Sequence, residues 1–455
     1  MDLEGFAKRK LRAGDTDAKI IAEMCTRIEE IKRTSIITNT TKETADKLAK
    51  AVLEEAKRTL DLKDEFATEI VSGVRMGEMG VGSRGSGDFY VHEKIGELIG
   101  ATGAVVDSSS LSDSGVVRLP DMDKAKSKFV VVTVDGMHSR LSDFPFLAGF
   151  HVARAALRDV YVLGAVPVAL LSDIHVADDG DVGKIFDHIA GISAVSDATG
   201  VPLVTGSTLR IGGDVVLGER MTGCVGAVGV AEDIVSREGA KAGDMILMSE
   251  GAGGGTITTA ALYYGEYEVV KETLNITFPR ACNALIQADM VRKVHVMTDV
   301  TNGGVRGDAN EIAKVAAVKL VFFEDKIRGL VNEKVLSLLE RQEIDYLGVS
   351  LDALLVICPE EAVEEVKTVV RAANVGIEVV GKVEAGKGAE IMIDGERKEF
   401  VPKFRESAYT PVKKAVGEST KADFDVMKRK VDQAVEAAVL KRDRMREMLG
   451  REGDV

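Results

Sequence analysis

Cysteine is scarce. Cys25, Cys224, Cys282 and Cys358 are the only ones, and no two form a CxxC pair. That spacing offers neither a disulfide framework nor a cysteine zinc site, and leaves four reduced, mostly buried thiols. No uncharged apolar run reaches the ~18 residues that span a bilayer. The opening MDLEGFAKRKLRAGD lacks the apolar stretch of a secretory signal. A cytoplasmic protein with no membrane partner is expected. Positive charge is also in deficit, with 59 Lys and Arg against 73 Asp and Glu, a formal charge of −14. Such a surface disfavours a nucleic-acid backbone as partner. It leaves room for a nucleotide, which needs only one local set of N–H groups and cations. With 45% hydrophobic and 29% charged residues the chain is ordinary globular protein. Its 455 residues exceed the roughly 250–300 that one core organises, so two or more domains are expected.

Residues 1–72 read as a helical extension. Thr41, followed by Glu43 and Asp46, suits a helix start, and Ala45, Leu48, Ala49, Val52, Leu53 and Ala56 recur at helical spacing. This region either packs on a partner subunit or covers the body of its own. A first folded domain is expected over 73–232. It opens with the glycine-rich GVRMGEMGVGSRGSG, and DFYVHEKIGELIG then reads as a helix. Glycines let a backbone turn its N–H groups toward a phosphate, although a glycine run also serves as a plain flexible loop. Strand, helix, strand, helix, strand, strand follow. This order predicts α+β, a mixed sheet with helices on one face. The long stretch DVVLGERMTGCVGAVGVAE reads as one strand. A second domain of strand-to-helix turns is expected over 233–410, closed by a hairpin with Asp394-Gly395 at its tip. Residues 411–455 are charged, and Phe424, Met427, Val431, Val435, Ala438 and Val439 make one face of a terminal helix.

The central stretch FVVVTVDGMHSRLSDFPFLAGFHVARAALRDVYVLGAVP ends an apolar strand on Asp135 and carries Asp159 near the end of a helix. Asp113 precedes a short strand, and the turns Thr205–Thr208 and Thr298–Gly304 end others. Carboxylates at several strand ends suit Mg²⁺, a hard ion that takes oxygen ligands and bridges protein to phosphates. The competing reading is that such residues cap turns.

These pieces resemble one superfamily, that of aminoimidazole ribonucleotide (AIR) synthetase, selenophosphate synthetase, thiamine monophosphate kinase and the hydrogenase-maturation carbamoyl dehydratase. The likeness spans about residues 80–400 and is nearest the last of these and archaeal AIR synthase-related proteins. RGSGDFYVHEKIGELI resembles the family's HGSGG-x-x-x-HELI, SDSGVV its DDAAV and ALRDVYVLGAVP its x-ND-x-A-x-x-GA-x-P. VTGSTL stands where VTGDT belongs, and MTDVTNGGVRGDANEIA is similar to D-x-T-R-GG-x-x-x-x-LNEIA. The resemblance implies a two-domain AIR synthetase-like subunit and a homodimer whose N-terminal strands join in a barrel. It also implies ATP and Mg²⁺ in the cleft between the domains. Carried over residue by residue, Asp113, Asp135 and Asp159 would hold metal and phosphate. Arg84, Gly85, Ser86 and Gly87 would line the phosphate loop. Gly206, Ser207 and Thr208 would contribute from one turn, and Asp299, Thr301, Gly303 and Gly304 from another.

The departures matter as much. Ser207 replaces the family's Asp, which removes a charge from the metal site unless Asp214 supplies it. Ser112 replaces the first acid of DDAAV. The chain given ends in Val455 rather than a carbamoyl-carrying cysteine, and no Cys or Lys stands in the glycine loop. Carbamoyl and selenium chemistry are therefore disfavoured. His138 reads either as a substrate contact or as a surface histidine, and Asp352 as a turn cap. His151, Arg154 and Arg158 share a helix face, read as a solvated basic face rather than an anion site. Two functions stay open. One is an ATP- and Mg²⁺-dependent enzyme that phosphorylates or activates an oxygen of a small-molecule or protein-borne acceptor. The other is a nucleotide-binding assembly or regulatory protein with little or no turnover, its terminal helices offering a surface to a partner protein.

Overall fold

The structure, a computed structural model, describes residues 1–34, 41–60, 72–74, 79, 85–99, 105–106, 115–118, 128–177, 180–212, 215–301, 303–406, 408–416 and 423–450. Three helices come first: α1 (Leu3–Arg12), α2 (Asp17–Thr34) and α3 (Lys42–Thr59). Thr41 caps the third, its hydroxyl accepting from the Thr44 N–H. Their apolar faces close into a separate small core in which Leu3, Phe6, Ile20, Met24, Ile28 and Val52 enclose Leu217. The bundle therefore covers its own chain. The Leu217 N–H donates to the Met1 carbonyl at 2.9 Å, and Asp2 bridges Val216. This docking is why the expected long strand is shorter: Val215–Leu217 serve the bundle, and the strand begins only at Met221.

After α4 (Ser86–Ile99) comes a five-stranded sheet, β1 (Gly115–Arg118), β2 (Phe129–Gly136), β3 (Val166–Val176), β4 (Leu203–Arg210) and β5 (Met221–Ala231), in the order β1-β2-β5-β3-β4. Only β3 and β4 run parallel. Two-residue alternation decides its faces. Val131, Leu170, Ile174, Val225 and Ala227 point inward and are buried. Helices α5 (Pro145–Tyr161) and α6 (Gly183–Thr199) pack together against this sheet. Val132, Val134, Val166 and Leu209 fall on the opposite face, exposed. Gly200, with φ +73°, ends α6.

The second sheet has seven strands: β6 (Met245–Ser249), β7 (Val296–Asp299), β8 (Lys319–Phe323), β9 (Leu354–Cys358), β10 (Ile377–Glu384), β11 (Gly388–Ile393) and β12 (Glu396–Glu399), ordered β12-β11-β8-β10-β6-β9-β7. Asp394 and Gly395 both have positive φ, as a primed hairpin turn requires. Its helices are α7 (Gly255–Tyr264), α8 (Tyr267–Thr273), α9 (Thr277–Gln287), α10 (Gly304–Val315), α11 (Glu324–Arg328), α12 (Glu333–Arg341) and α13 (Val363–Ala372). The short α8 escaped the sequence reading. Alternation splits this sheet between two cores. Leu247, Met297, Leu354 and Val356 join the core of the first sheet, and Ile246, Met248, Val296 and Leu355 face the other way. One apolar core thus runs from sheet to sheet.

A segment with little regular structure leads from β12 to α14 (Pro411–Val416) and α15 (Phe424–Met448). Met427 of α15 buries against Met79 and Phe404, and Lys94 of α4 pairs with Asp432 at 3.1 Å. Among the described residues no helix is long and apolar enough to cross a membrane.

Candidate functional site

β2 and α5 bring the two central acids together. Thr133 and Asp135 sit two apart on the inward face of β2, and the Thr133 hydroxyl donates to Asp159 of α5 at 3.2 Å. Register extends this row across the sheet. Asp135 lies opposite Val225, Val225 opposite Ser172, and Ser172 opposite Gly206. Gly206 therefore shares the face of Asp135. Ser207 points to the other face, where it lies opposite Asp173, so the structure does not bring Ser207 and Asp135 together.

The sequence reading of α5 as a solvated basic face is overturned. Arg154 is 1% exposed, Arg158 7% and His151 6%. Arg154 donates to the carbonyls of Thr273, Asn275 and Gly253 at 2.7, 2.6 and 3.1 Å and pairs with Asp352 at 2.8 Å. Arg158 pairs with the other Asp352 oxygen at 2.7 Å and with Asp299 at the end of β7. Asp352 is thus no mere turn cap. It is buried, sits at φ +53°, and bridges two guanidinium groups. Burial pulls the Arg158 pKa down. The carboxylates of Asp299, Asp352, Asp159 and Asp135 outweigh it and hold the value well above the usual one. A permanent cation therefore stands inside the acid cluster. The sequence signal was available: two arginines four residues apart on one face of a largely apolar helix, with acids at two later strand ends.

Asp299 is 1% exposed and held by Arg158. Next to it, Gly303 and Gly304 have φ +99° and +60°, and a Cβ on Gly304 would stand 2.2 Å from the Leu347 carbonyl oxygen. The turn is thus built for close approach, and the Gly304 N–H donates to Thr301 at 2.8 Å. The start of α4 is packed just as tightly. A Cβ on Gly85 would lie 2.1 Å from the Phe404 carbonyl oxygen and one on Gly87 1.8 Å from that of Met79, while the Ser86 N–H donates to Lys403. Gly85 thus serves backbone contact between the start of α4 and the segment after β12, and Gly87 close contact with the backbone at Met79. Thr208 lies on exposed β4. Arg84, Asp113, Ser112 and Asp214 lie outside the described residues.

His138 is neither free nor on the surface. Its two ring nitrogens meet the Thr259 and Tyr409 hydroxyls at 3.1 and 2.7 Å, tying the loop after β2 to α7 and to the segment before α14. Burial, then Lys413 and Arg140, lower its pKa to about 4.

No cluster of three or more His, Cys, Asp or Glu side chains poised around a metal occurs among the described residues. Asp135 and Asp159 nevertheless fit Mg²⁺ by the chemistry of their donors, since that ion commonly takes one or two carboxylates and leaves other positions to water and phosphate.

Residues 111–231 match the family described as AIR synthase related protein, N-terminal domain, and residues 241–394 its C-terminal domain. An uncharacterized protein of Methanocaldococcus jannaschii, MJ1416, is 51% identical over 99% of this chain and 98% of its own length. A selenide, water dikinase of Myxococcus xanthus is 28% identical over 49% of this chain and 61% of its own. Hydrogenase maturation protein HypE, solved in complex with ATP, superposes with a TM-score of 0.51 at 20% identity, covering 64% of this chain and 88% of that one. The last likeness is one of fold.

Proposed function

Since the chain belongs to the AIR synthase related family, we propose that it is an ATP- and Mg²⁺-dependent enzyme that phosphorylates or activates an oxygen of an acceptor. The observation that carries this reading is the convergence of Asp135, from a strand end, and Asp159, from the helix facing it, on the fixed charge of Arg158. Relatives that use ATP or bind it support the same reading: the dikinase by its name, HypE by its complex. Asp135 and Asp159 would hold Mg²⁺, which would bridge and neutralise the phosphates. Arg84, Gly85, Ser86, Gly87, Asp113, Asp214, Gly206, Thr208, Thr301, Gly303 and Gly304 complete the proposed nucleotide and metal surroundings. Asp299 enters as the residue that fixes Arg158. Positioning and charge compensation carry most of the work in phosphoryl transfer, and a preorganised site supplies both.

The folded units of this reading are 73–232 and 233–410, flanked by the helical ends. The uncovered face of the first sheet supports a homodimer, since exposed apolar patches mark association surfaces.

One observation favours the second reading, a nucleotide-binding assembly protein without turnover. Arg158 already neutralises part of the acid cluster, so a full complement of metal has less charge to hold it. Titration calorimetry with ATP and Mg²⁺, followed by a search for ADP release across acceptors, separates the two. Binding with release supports the enzyme, binding without release the assembly protein, and no binding removes both. Asp135→Asn is expected to lower Mg²⁺-dependent ATP affinity at least tenfold. Unchanged affinity would take Asp135 out of the site.

A further inference from the structure

Among the described residues, arginines drawn wholly or largely out of solvent commonly have acidic partners. Arg154 and Arg158 share Asp352, Arg237 pairs with Asp308 and Glu311, and Arg306 pairs with Asp345 and Glu406. Two half-buried cations among the described residues depart from this pattern. Arg140 follows Asp135 by five residues in the loop after β2, and its Nε is buried with no hydrogen-bond partner. Lys413, on α14, has no acidic or hydrogen-bonding partner for its ammonium group among the described residues. The two interact, and burial together with the Arg140 charge lowers the Lys413 pKa.

Both are held in place by aromatic rings. Arg140 stacks 4.2 Å from the ring centre of Tyr263, whose hydroxyl donates to the Arg140 carbonyl at 3.2 Å. Lys413 sits 4.4 Å from the ring centre of Tyr409, whose hydroxyl is engaged with His138. Three chain segments, the loop after β2, α7 and the start of α14, thus converge to present two positive charges. The neutral state of His138 adds no charge of its own. Two like charges close enough to act on each other, without a carboxylate partner among the described residues, in a chain of net charge −14, are a standing electrostatic cost. A bound anion would remove it.

We propose that Arg140 and Lys413 form an anion site that receives a phosphate monoester carried by the acceptor. Two fixed cations match a dianionic phosphate better than a singly charged carboxylate. Arginine can supply a fork of donors to two phosphate oxygens, and lysine a mobile point charge. The inference rests on the reading of the chain as an ATP-dependent enzyme, because it names the class of that enzyme's second substrate. The loop that carries Arg140 directly follows the strand that carries Asp135, so an acceptor anchored there would sit next to the proposed nucleotide.

The test is calorimetric titration of the full chain with inorganic phosphate, with acetate as the singly charged control, each with and without saturating AMP-PNP and Mg²⁺. Expected is phosphate binding that persists when AMP-PNP is bound, is at least tenfold tighter than acetate binding, and weakens at least tenfold in Arg140→Gln and in Lys413→Gln. Lys413→Arg should restore it. Thermal unfolding of the two neutral variants should be no earlier than that of the parent, since each loses a charge that repels its neighbour. Unchanged phosphate affinity in both variants, equal affinity for acetate, or displacement of phosphate by AMP-PNP would overturn the proposal. AMP-PNP affinity, measured in the same variants, should not move. Absence of AMP-PNP binding in the parent, with phosphate binding intact, would sink the ATP reading and leave the anion site standing.

Discussion

The two sheets of this chain are built from similar apolar strands yet end in opposite situations. β7 and β9 are buried at every position, with helices and the neighbouring sheet on either side. β2 alternates, and Val134 on its outer face is 67% exposed. Hydrophobic strands alone therefore do not say whether a sheet is finished. The central strands of the second sheet are covered within one chain, whereas the first sheet keeps an apolar face that no described helix covers.

The sharpest way to break this contrast is one substitution in each sheet. Val356→Lys would bury an unpaired ammonium at a site 0% exposed, and no soluble folded protein is expected on expression. Val134→Lys should leave thermal stability within about 0.5 kcal/mol. It should turn the proposed dimer into a monomer in sedimentation velocity. A dimer unaffected by it would place the contact elsewhere.

A second prediction addresses what joins the sheets. Asp352→Ala strands two buried guanidinium groups and is expected to cost about 3–5 kcal/mol in denaturant unfolding. Asp352→Asn, which keeps the shape and part of the hydrogen bonding, should cost less. A loss under about 1 kcal/mol for the alanine variant would mean water replaces the carboxylate freely, contrary to its burial.

The third prediction is a pH dependence. His138 has a folded-state pKa of about 4, lowered from 6.5, so between those values the unfolded chain binds the extra proton. Stability then falls as pH drops through that window, by up to roughly 3 kcal/mol if the whole shift is realised. Unfolding curves of the parent and of His138→Gln, compared from pH 7 to 4, isolate this contribution from other groups. Equal slopes in the two would show that His138 meets water in the native state.

Much of the fold was readable in the residues. Thr41 and Asp394-Gly395 announced their cap and turn because local backbone chemistry decides them. The apolar run of β2 put Asp135 at a strand end. What could not be read depends on contacts far apart in the chain. Val215–Leu217 look like strand, and only docking of the first helices explains why they are not paired in the sheet. Arg154 and Arg158 look like an exposed basic face until Asp299 and Asp352 are brought to them. Glycines at 85 and 87 suggest a phosphate cradle by composition, yet their lack of a Cβ also admits the backbone at Met79 and Phe404, a demand that composition cannot reveal. Part of the proposed site, Arg84, Asp113 and Asp214, rests on the sequence alone.

The arginine pair on α5 also has a consequence in time. Asp352 is made 198 residues after Arg154, the difference of their positions in the chain. At typical synthesis rates of ~5–20 residues per second, that interval is about 10–40 s. Throughout it the helix has been translated, but the carboxylate that neutralises its two guanidinium groups has not. The first half of the nascent chain must therefore stay loose or hydrated along that helix, and final consolidation of both halves falls after β9 has emerged.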